Sequence, residues 1–515
     1  MAKALMVMGT ASNVGKTVIA AGLCRLCRRR DISVVPFKAQ NMSLNSFVTP
    51  EGGEMGRAQV LQAEACGLMP HVDMNPILLK PEADNCSQVI IHGKVWGKHD
   101  AQNYFSRRSE LLCFVQESYQ RLAHRYDLVV IEGAGSAAEI NLRDRDIVNW
   151  PVAQMADARV ILVADIDRGG VFAQIIGTLD LLTDDERRRV IGVLINKFRG
   201  DLSFFNDGVT YLEERTRLPI LGVIPFQRNL ELDQEDSVEI ERHQKPFVTG
   251  DKVNVAVVLL PHMSNFTDFN ALVAESDVAL RYVKSPSEIT GADVAVLPGS
   301  KSVMADLDYL HEAGFGSALQ MHARGGGELV GICGGFQMLG REISDPYGVE
   351  TGGKIDGLGF LDVFTDLTPE KRTVQVEARP LLPGTFEDCA VQGYEIHMGR
   401  TKGGKALPSF WILSHPDLPK SEPMADGAIS DNGHTWGTYI HGVFDNHTFR
   451  RHWLNQIRQR KGLAALPTAV SESVNQRLSS AMDRWADHLE RHLNLPAIFA
   501  DLKLPCDRQQ LEIRL

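Results

Sequence analysis

Cysteine is scarce in this chain of 515 residues: the eight cysteines are scattered from Cys24 to Cys506. So few cannot form a disulfide framework in a chain of this size, so we expect a reducing, cytoplasmic compartment. Cys24 and Cys27 form a Cys-x-x-Cys pair without a second pair, which favours two helix residues over a zinc site. No apolar run approaches the ~18 residues of a membrane span, so no membrane partner is expected.

An excess of positive charge is also absent. Lysine and arginine total 54 against 65 acidic residues, which gives a net charge of −11. This balance argues against nucleic acid as a partner, because proteins that coat nucleic acid carry a basic face. With 44% hydrophobic and 23% charged residues the chain has a globular composition, and its length suggests about three domains. No internal repeat or low-complexity segment is evident, and nothing in the sequence fixes the oligomeric state.

Apolar β-type runs alternate with helical patterns through the first half, which indicates an α/β fold with parallel strands. The predicted strands there are Ala4–Met8, Ser33–Phe37, Leu128–Ile131, Val160–Ala164, Ile191–Ile195 and Ile220–Ile224. A polar stretch from Gln227 to Lys252 interrupts the series, and a second series runs from Val253 to Phe444. We therefore expect domains at 1–245 and 252–448, followed by a helical tail at 449–515 without a readable motif.

The first predicted strand leads into the sequence Gly-Thr-Ala-Ser-Asn-Val-Gly-Lys-Thr at residues 9–17. A glycine turn between a strand and a helix directs backbone N–H groups at phosphate oxygens. Gly15 belongs to this turn, Lys16 is expected to reach the outer phosphates of ATP, and the Thr17 hydroxyl is expected to bind Mg²⁺. Five residues separate the two glycines, one more than in the usual Walker A loop, yet the strand-loop-helix context favours phosphate binding.

This variant loop resembles that of dethiobiotin synthetase and its relatives, which phosphorylate a carboxylate or carbamate. Glu132 ends an apolar strand and precedes Gly-Ala-Gly, and a carboxylate there suits a second Mg²⁺ ligand. Lys38 follows the second strand and is predicted to clamp the transferred phosphate. The resemblance further implies that Asn196 hydrogen-bonds adenine. The expected architecture of this half is therefore a P-loop synthetase domain with a parallel sheet.

Amide and charged side chains accumulate after several of these strands. Gln40 and Asn41 follow strand two, while Asp146 and Arg168 lie in later loops. Carboxamides and charges suit a substrate that is itself rich in amides and carboxylates, so these four residues are predicted substrate contacts. Ordinary salt bridging within loops remains the alternative for Asp146 and Arg168.

The second half contains Gly-Ile-Cys-Gly-Gly at residues 331–335, after an apolar strand and before a helical pattern. Small neighbours permit the sharp turn of a nucleophile elbow, which exposes Cys333 at a helix N-terminus that favours the thiolate. The backbone N–H groups of Gly334 and of the loop containing Gly299 are predicted to form the oxyanion hole. A buried structural cysteine is the alternative, but the flanking glycines favour a nucleophile.

A thiol nucleophile needs a base, and His441 at the end of the last predicted strand is the candidate. This half resembles a class I glutamine amidotransferase domain, in which the cysteine attacks the glutamine side-chain amide and releases ammonia. Those domains usually carry a glutamate two residues after the histidine, where this chain has Val443. The carboxylate that orients His441 is thus missing or comes from elsewhere, with Asp445 and Glu395 as weak candidates.

Together the two halves resemble the cobyric acid synthase family over residues 1 to about 448. The runs that carry the resemblance include Gln-Asn-Met-Ser-Leu-Asn at residues 40–45 and Gly-Tyr-Glu-Ile-His-Met-Gly at residues 393–399. The resemblance implies ATP- and glutamine-dependent amidation of adenosylcobyrinic acid a,c-diamide at its b, d, e and g carboxylates, through acyl phosphates. One ATP and one glutamine would be used for each amide.

Three alternatives stay open at this point. The sister family, cobyrinic acid a,c-diamide synthase, shares both halves but amidates two positions. A P-loop switch protein of the partition-ATPase type is disfavoured because residues 9–12 lack that class's early lysine. A corrinoid-binding protein with an inactive glutaminase half is suggested only by the missing glutamate.

Overall fold

A computed structural model describes residues 2–83, 86–228, 230–232, 246–248, 250–384, 386, 389–414 and 423–505. The chain divides into two compact units, and each is built from separate stretches of sequence. The first contains Met1–Ser43, Glu54–Glu235 and Leu478–Leu515, and the second contains Leu44–Gly53 and Asp236–Arg477. The expected domain limit at residue 245 and Cys506 lie outside the described residues.

The first unit is organised around a six-stranded sheet in which every neighbouring pair is parallel. From one edge to the other its strands are Ile220–Pro225, Val190–Phe198, Arg159–Asp165, Lys3–Gly9, Leu128–Glu132 and Val34–Phe37. The central strands are buried almost throughout, as expected when helices cover both faces of a parallel sheet. The six strands predicted from the apolar runs are confirmed, with each end within three residues of its predicted position.

Helices and a smaller sheet complete this unit. The helices are Lys16–Arg28, Arg57–Cys66, Ala101–Ser106, Arg108–Ala123, Trp150–Met155, Val171–Asp180, Asp184–Arg189, Asn206–Thr216 and Leu495–Leu502, with short 3-10 turns at Val72–Met74, Ile140–Arg145 and Leu202–Phe205. The smaller sheet has the strands Gln40–Met42, Ile77–Ala83, Cys86–Ile91 and Lys94–Asp100, and Glu54–Gly56 is a further short strand. The α/β class expected from the alternating pattern is confirmed.

The second unit has its own six-stranded sheet, which is parallel except for one antiparallel edge strand. In spatial order the strands are Val278–Val283, Val253–Val258, Val294–Leu297, Glu328–Ile332, Thr435–Thr438 and Ala428–Ile429. Its helices are Asn270–Ala274, Val303–Glu312, Phe315–Arg324, Gly334–Leu339 and His447–Arg460, with 3-10 turns at Phe266–Phe269, Pro286–Ile289, Val443–Asp445 and Thr468–Val470.

A mixed second sheet accompanies it, centred on the long antiparallel pair Val363–Pro380 and Val391–Gly403. The other strands of this unit are Ser46–Val48, Met263–Ser264, Gly299–Ser300, Glu342–Asp345, Gly353–Asp356, Phe410–Ser414, Met424–Asp426 and Ile440–His441. Strand Ile440–His441 pairs with Tyr394 and Glu395. That pairing brings the predicted catalytic histidine beside the Gly-Tyr-Glu-Ile-His run.

The C-terminal stretch does not form a separate body. Helix Val474–His492 packs its apolar face into the core of the first unit, where Trp485 and Leu489 lie against Gly22. The Trp485 indole N–H donates to the Val18 carbonyl over 2.7 Å. Because any side chain at position 22 would collide with these two residues, the small glycine permits the close helix contact. None of the helices in the described ranges is both long and apolar enough to cross a membrane.

Candidate active sites

The loop between strand Lys3–Gly9 and helix Lys16–Arg28 makes a tight turn. Gly15 precedes the helix with a φ of 101°, a conformation that favours glycine, and a Cβ there would meet the Asn196 amide nitrogen at 2.3 Å. The Lys16 ammonium donates to the carbonyls of Ala11 and Gly135, at 3.1 and 2.8 Å. The loop therefore presents its lysine beside the glycine-rich segment that follows Glu132.

Glu132 lies at the end of a central strand, 1% exposed. Its carboxylate accepts hydrogen bonds from the Thr17 hydroxyl at 2.8 Å and from the Lys38 ammonium at 3.0 Å. A buried carboxylate is costly unless it is paired and hydrogen-bonded, and these donors meet that requirement. The structure thus brings together Lys16, Thr17, Lys38 and Glu132, the residues that the sequence assigned to ATP and Mg²⁺.

Gln62 was missed at the sequence level. Its amide nitrogen donates to the second Glu132 oxygen at 2.5 Å, and its side chain is fully buried on helix Arg57–Cys66. A glutamine in the interior of a helix gives no local signal of a role, since its partner is 70 residues away. Only the tertiary structure identifies it as a residue that fixes Glu132.

Residues 146–149 hold the backbone after Glu132. Asp146 Oδ1 accepts the N–H of Val148 and Asn149, and Oδ2 accepts the N–H of Trp150, the first residue of helix Trp150–Met155. The Asn149 amide in turn bonds the backbone N–H and carbonyl of Ala134. These are bonds to backbone N–H groups and not the loop salt bridge considered as the alternative, and a substrate contact by Asp146 stays a prediction.

The other predicted contacts of this half have the following surroundings. The Asn196 amide donates to the Val14 carbonyl at 2.8 Å and so holds the phosphate loop. Asn41 is 3% exposed and donates to Gln59 at 3.0 Å, while Gln40 accepts a hydrogen bond from the Tyr104 hydroxyl. Arg168 is exposed, with its guanidinium 4.0 Å from Asp165. Gln40 and Arg168 keep surface access, whereas the Asn41 side chain is enclosed.

Cys333 occupies a sharp turn between strand Glu328–Ile332 and helix Gly334–Leu339, with φ 51° and ψ −107°. The turn depends on its glycines: a Cβ on Gly335 would lie 2.0 Å from the Leu297 carbonyl oxygen, and one on Gly331 would lie 2.7 Å from the Gly335 oxygen. A non-glycine residue with positive φ at such a turn is strained backbone of the kind that occurs at functional sites. This geometry is that of the nucleophile elbow expected from the sequence.

His441 is 1% exposed. Its Nδ1 is 2.7 Å from Asp268 Oδ2, and the ring interacts electrostatically with the Cys333 thiol. Burial by itself lowers the pKa of the ring, but Asp268 and Cys333 outweigh it and raise the pKa of His441 to about 10. A cysteine, a histidine and a carboxylate thus form one buried chain of contacts.

The carboxylate that contacts the His441 ring is therefore Asp268. The Glu395 side chain instead pairs with Arg372 and lies 3.5 Å from His397, and although burial opposes it, these partners lower the pKa of Glu395. Asp445 contributes its backbone N–H to the Gly442 carbonyl. Sequence spacing could not find Asp268, because it precedes His441 by 173 residues.

The two predicted oxyanion positions adjoin this cluster. A Cβ on Gly299 would lie 3.3 Å from His441 Cε1, and one on Gly334 would lie 2.8 Å from the Ser300 backbone nitrogen. The small residues therefore allow the loop at Gly299 to approach His441 and the turn at Gly334 to approach Ser300. Cys333 Sγ also contacts the Ile396 carbonyl at 3.4 Å, in the strand that contains the Gly-Tyr-Glu-Ile-His run.

Two protein-family models match the chain, one in each half of the sequence. Residues 5–239 match the CobQ/CobB/MinD/ParA nucleotide binding domain, and residues 254–449 match the CobB/CobQ-like glutamine amidotransferase domain. The matched domains and the α/β fold define the class of protein: a glutamine-dependent ligase with a nucleotide-binding domain.

Full-length relatives narrow the class. The chain is 47% identical over 505 residues to a protein of Syntrophobacter fumaroxidans named cobyric acid synthase, covering 96% of this chain and 98% of that protein. Proteins of the same name from Yersinia enterocolitica, at 47% over 98% of each chain, and Dehalococcoides mccartyi, at 45% over 98% of this chain and 99% of that one, are similar. The chain belongs to the cobyric acid synthase family.

Proposed function

We propose that this protein amidates the b, d, e and g carboxylates of adenosylcobyrinic acid a,c-diamide to give adenosylcobyric acid in cobalamin biosynthesis, in the cytoplasm. The observation that carries the proposal is the near full-length identity of 47% to proteins named cobyric acid synthase. Two reaction centres on one chain supply the chemistry, since one suits phosphoryl transfer and the other suits release of ammonia.

In the first unit, ATP activates a substrate carboxylate. The backbone of the Gly9–Thr17 loop binds the phosphates, and the Lys16 and Lys38 ammonium groups offset charge on the transferred phosphoryl group. The carboxylate oxygen attacks the γ-phosphorus and ADP leaves, which gives an acyl phosphate. Binding both reactants in line is most of the catalysis in this step.

Mg²⁺ is implied by phosphoryl transfer, and the residues present fit it. Mg²⁺ usually keeps several waters and is bound through one or two carboxylates together with substrate phosphates. The Thr17 hydroxyl and the Glu132 carboxylate are adjacent oxygens that would hold it. Bound there, the ion would neutralise charge on the phosphates.

In the second unit, Cys333 and His441 act on glutamine. The thiolate attacks the side-chain amide carbon, backbone N–H groups near Gly299 and Gly334 stabilise the oxyanion, and the His441 imidazolium protonates the leaving nitrogen. Ammonia departs and a thioester remains, which water hydrolyses to glutamate. Ammonia then attacks the acyl phosphate, phosphate leaves, and the amide is formed.

The test is incubation of the purified protein with ATP, glutamine and adenosylcobyrinic acid a,c-diamide, with mass spectrometry of the corrinoid. Four added amides support the proposal. In a parallel incubation with cobyrinic acid, amidation at two positions would instead assign the protein to the a,c-diamide synthases. Binding of corrinoid without amidation would assign it to corrinoid-binding proteins. ATP hydrolysis at a rate that does not depend on corrinoid or glutamine would favour a switch ATPase.

The Cys333→Ala variant separates the two reactions. It is expected to lose amidation with glutamine and to keep amidation with added ammonia, because only the nitrogen supply depends on the thiol. Glutamine-dependent amidation by this variant at the unaltered rate would remove Cys333 from the mechanism.

A further inference from the structure

A short segment from the first half of the sequence is built into the second unit. Leu44–Gly53 lies between two stretches of the first unit along the chain, yet it packs with the second. Asn45 and Ser46, both under 5% exposed, exchange hydrogen bonds with Asn265 and Phe266: Ser46 N–H donates to Asn265 Oδ1 at 2.9 Å, and Phe266 N–H donates to Asn45 Oδ1 at 3.1 Å. These two reciprocal hydrogen bonds of the Asn45 and Asn265 side chains, the amide pair, therefore fix the segment.

The amide pair lies at the start of the turn that carries Asp268. The 3-10 turn Phe266–Phe269 begins immediately after Asn265, whose φ of 52° is left-handed. The first N–H groups of a helical turn have no partner within it, so Asn45 satisfies the N–H of Phe266 from outside. Asp268, two residues further, accepts from the Gly442 N–H and contacts the His441 ring. Asn45 thus fixes the element that orients His441.

The same segment also fixes the other side of the histidine. The Tyr394 hydroxyl donates to the Ser46 carbonyl at 3.2 Å, and the Tyr394 ring stacks on the His441 ring, with centroids 5.4 Å apart and planes at 19°. Phe47 packs edge-on against Tyr394 at 5.0 Å. His441 is consequently held between Asp268, whose 3-10 turn bonds to Asn45 through the Phe266 N–H, and Tyr394, which bonds to Ser46.

We infer that Asn45 is a positioning residue for the glutaminase reaction, acting on His441 through the Asp268 turn. The inference rests on the proposed function, because it assumes that Cys333 and His441 hydrolyse glutamine. The Asn45 side chain is buried and accepts the Phe266 N–H, so Asn45 has a role that its place in the amide-rich run 40–45 did not suggest.

The test measures glutamate release by the full chain in the presence of ATP and corrinoid. Removing one orienting hydrogen bond in Asn45→Ala should lower kcat for glutamine about tenfold with little change in KM, since the alanine alters the geometry of the base and not glutamine binding. In an Asp268→Asn background the same change should cost less than twofold, because both residues act on one imidazole.

Thr373→Val is the matched control. The Thr373 hydroxyl holds the same segment by donating to the Gly52 carbonyl at 3.0 Å, away from the Asp268 turn, and its loss should leave kcat within twofold. Tyr394→Phe removes the bond to Ser46 while keeping the stacked ring, and should lower kcat severalfold. If thermal unfolding shows that Asn45→Ala does not fold, the kcat of Tyr394→Phe tests the inference instead.

An unchanged kcat in Asn45→Ala, or a rise in its KM alone, overturns the inference. So does full additivity of Asn45→Ala with Asp268→Asn, or a loss of kcat in Thr373→Val equal to that in Asn45→Ala. If Asn45→Ala does not fold, an unchanged kcat in Tyr394→Phe overturns it. Failure of the proposed function looks different, because the unaltered protein would then release no glutamate from glutamine.

Discussion

His441 Nδ1 lies 2.7 Å from Asp268 Oδ2, and the other Asp268 oxygen accepts the Gly442 N–H at 3.0 Å. One carboxylate therefore binds both the imidazole and the backbone next to it. Such a contact fixes the ring orientation and leaves Nε2 for the thiol, which is the role that a glutamate near the histidine usually has in this class of domain. In this chain the carboxylate at that position comes from a different part of the fold.

Replacing Asp268 with asparagine should lower glutamine-dependent amidation by about a thousandfold, because the ring loses its charged partner and the correct tautomer. Amidation with added ammonia should remain, which is the internal control. Asp445→Asn, the alternative suggested by sequence proximity, should stay within twofold. The reverse ranking of these two variants in a glutamate-release assay would show that Asp268 is not the orienting carboxylate.

The raised pKa of His441 makes stability depend on pH in a defined direction. The folded pKa of about 10 exceeds the ordinary value of 6.5, so the protonated ring stabilises the fold fully below about pH 6.5, and this contribution is lost as pH rises towards about 10. Calorimetric unfolding temperatures should therefore fall more steeply over this range in the unaltered protein than in His441→Asn. Equal slopes for the two proteins would contradict the ion pair.

Lys16→Ala should abolish amidation with both glutamine and ammonia, since it removes a charge from the phosphoryl-transfer site. Glutamate release is a separate reaction and should continue. Lys98→Ala, which alters an exposed ion pair with Glu82 in the same unit, is the control and should retain activity. Ammonia-dependent synthesis by Lys16→Ala at the unaltered rate would refute the phosphate role.

Gln62→Leu tests the residue behind Glu132. Losing the amide that fixes the carboxylate should reduce ammonia-dependent amidation about tenfold, mainly in kcat, because the buried Glu132 keeps Thr17 and Lys38 but not its third donor. Steady-state rates over a range of ATP concentrations measure this. A change confined to KM for ATP would assign Gln62 to nucleotide binding instead.

Trp485→Ala tests the contact between the C-terminal helix and the helix that follows the phosphate loop. Deleting the buried indole removes its packing against Gly22 and its bond to Val18, and should cost about 3 kcal/mol of unfolding free energy. Arg484→Ala, next to it in an exposed pair with Glu231, should change stability by less than about 1 kcal/mol. Urea titration distinguishes the two, and equal small effects would show that the helix adds little stability.

Local patterns predicted a large part of the molecule. The apolar runs located the parallel strands, and the glycine spacing around Lys16 and Cys333 located both loops, because a turn between a strand and a helix needs its special residues within a few positions. Lys38 and Glu132 were expected to lie together for a related reason, since residues that end neighbouring parallel strands meet at the same edge of the sheet, and the two do form an ion pair.

Local patterns could not identify Asp268, Gln62 and Asn45. Each forms a hydrogen bond with a partner far away in sequence, and such a bond produces no periodic pattern in the sequence. The sequence also suggested one continuous stretch per domain, whereas the compact units take in Leu44–Gly53 and the C-terminal helix from elsewhere. By itself, the sequence determined the kinds of strand, loop and nucleophile, since these depend on neighbouring residues. Tertiary structure decided which buried carboxylate and which amides complete the sites, since burial requires every polar group to find a partner, wherever the chain brings one.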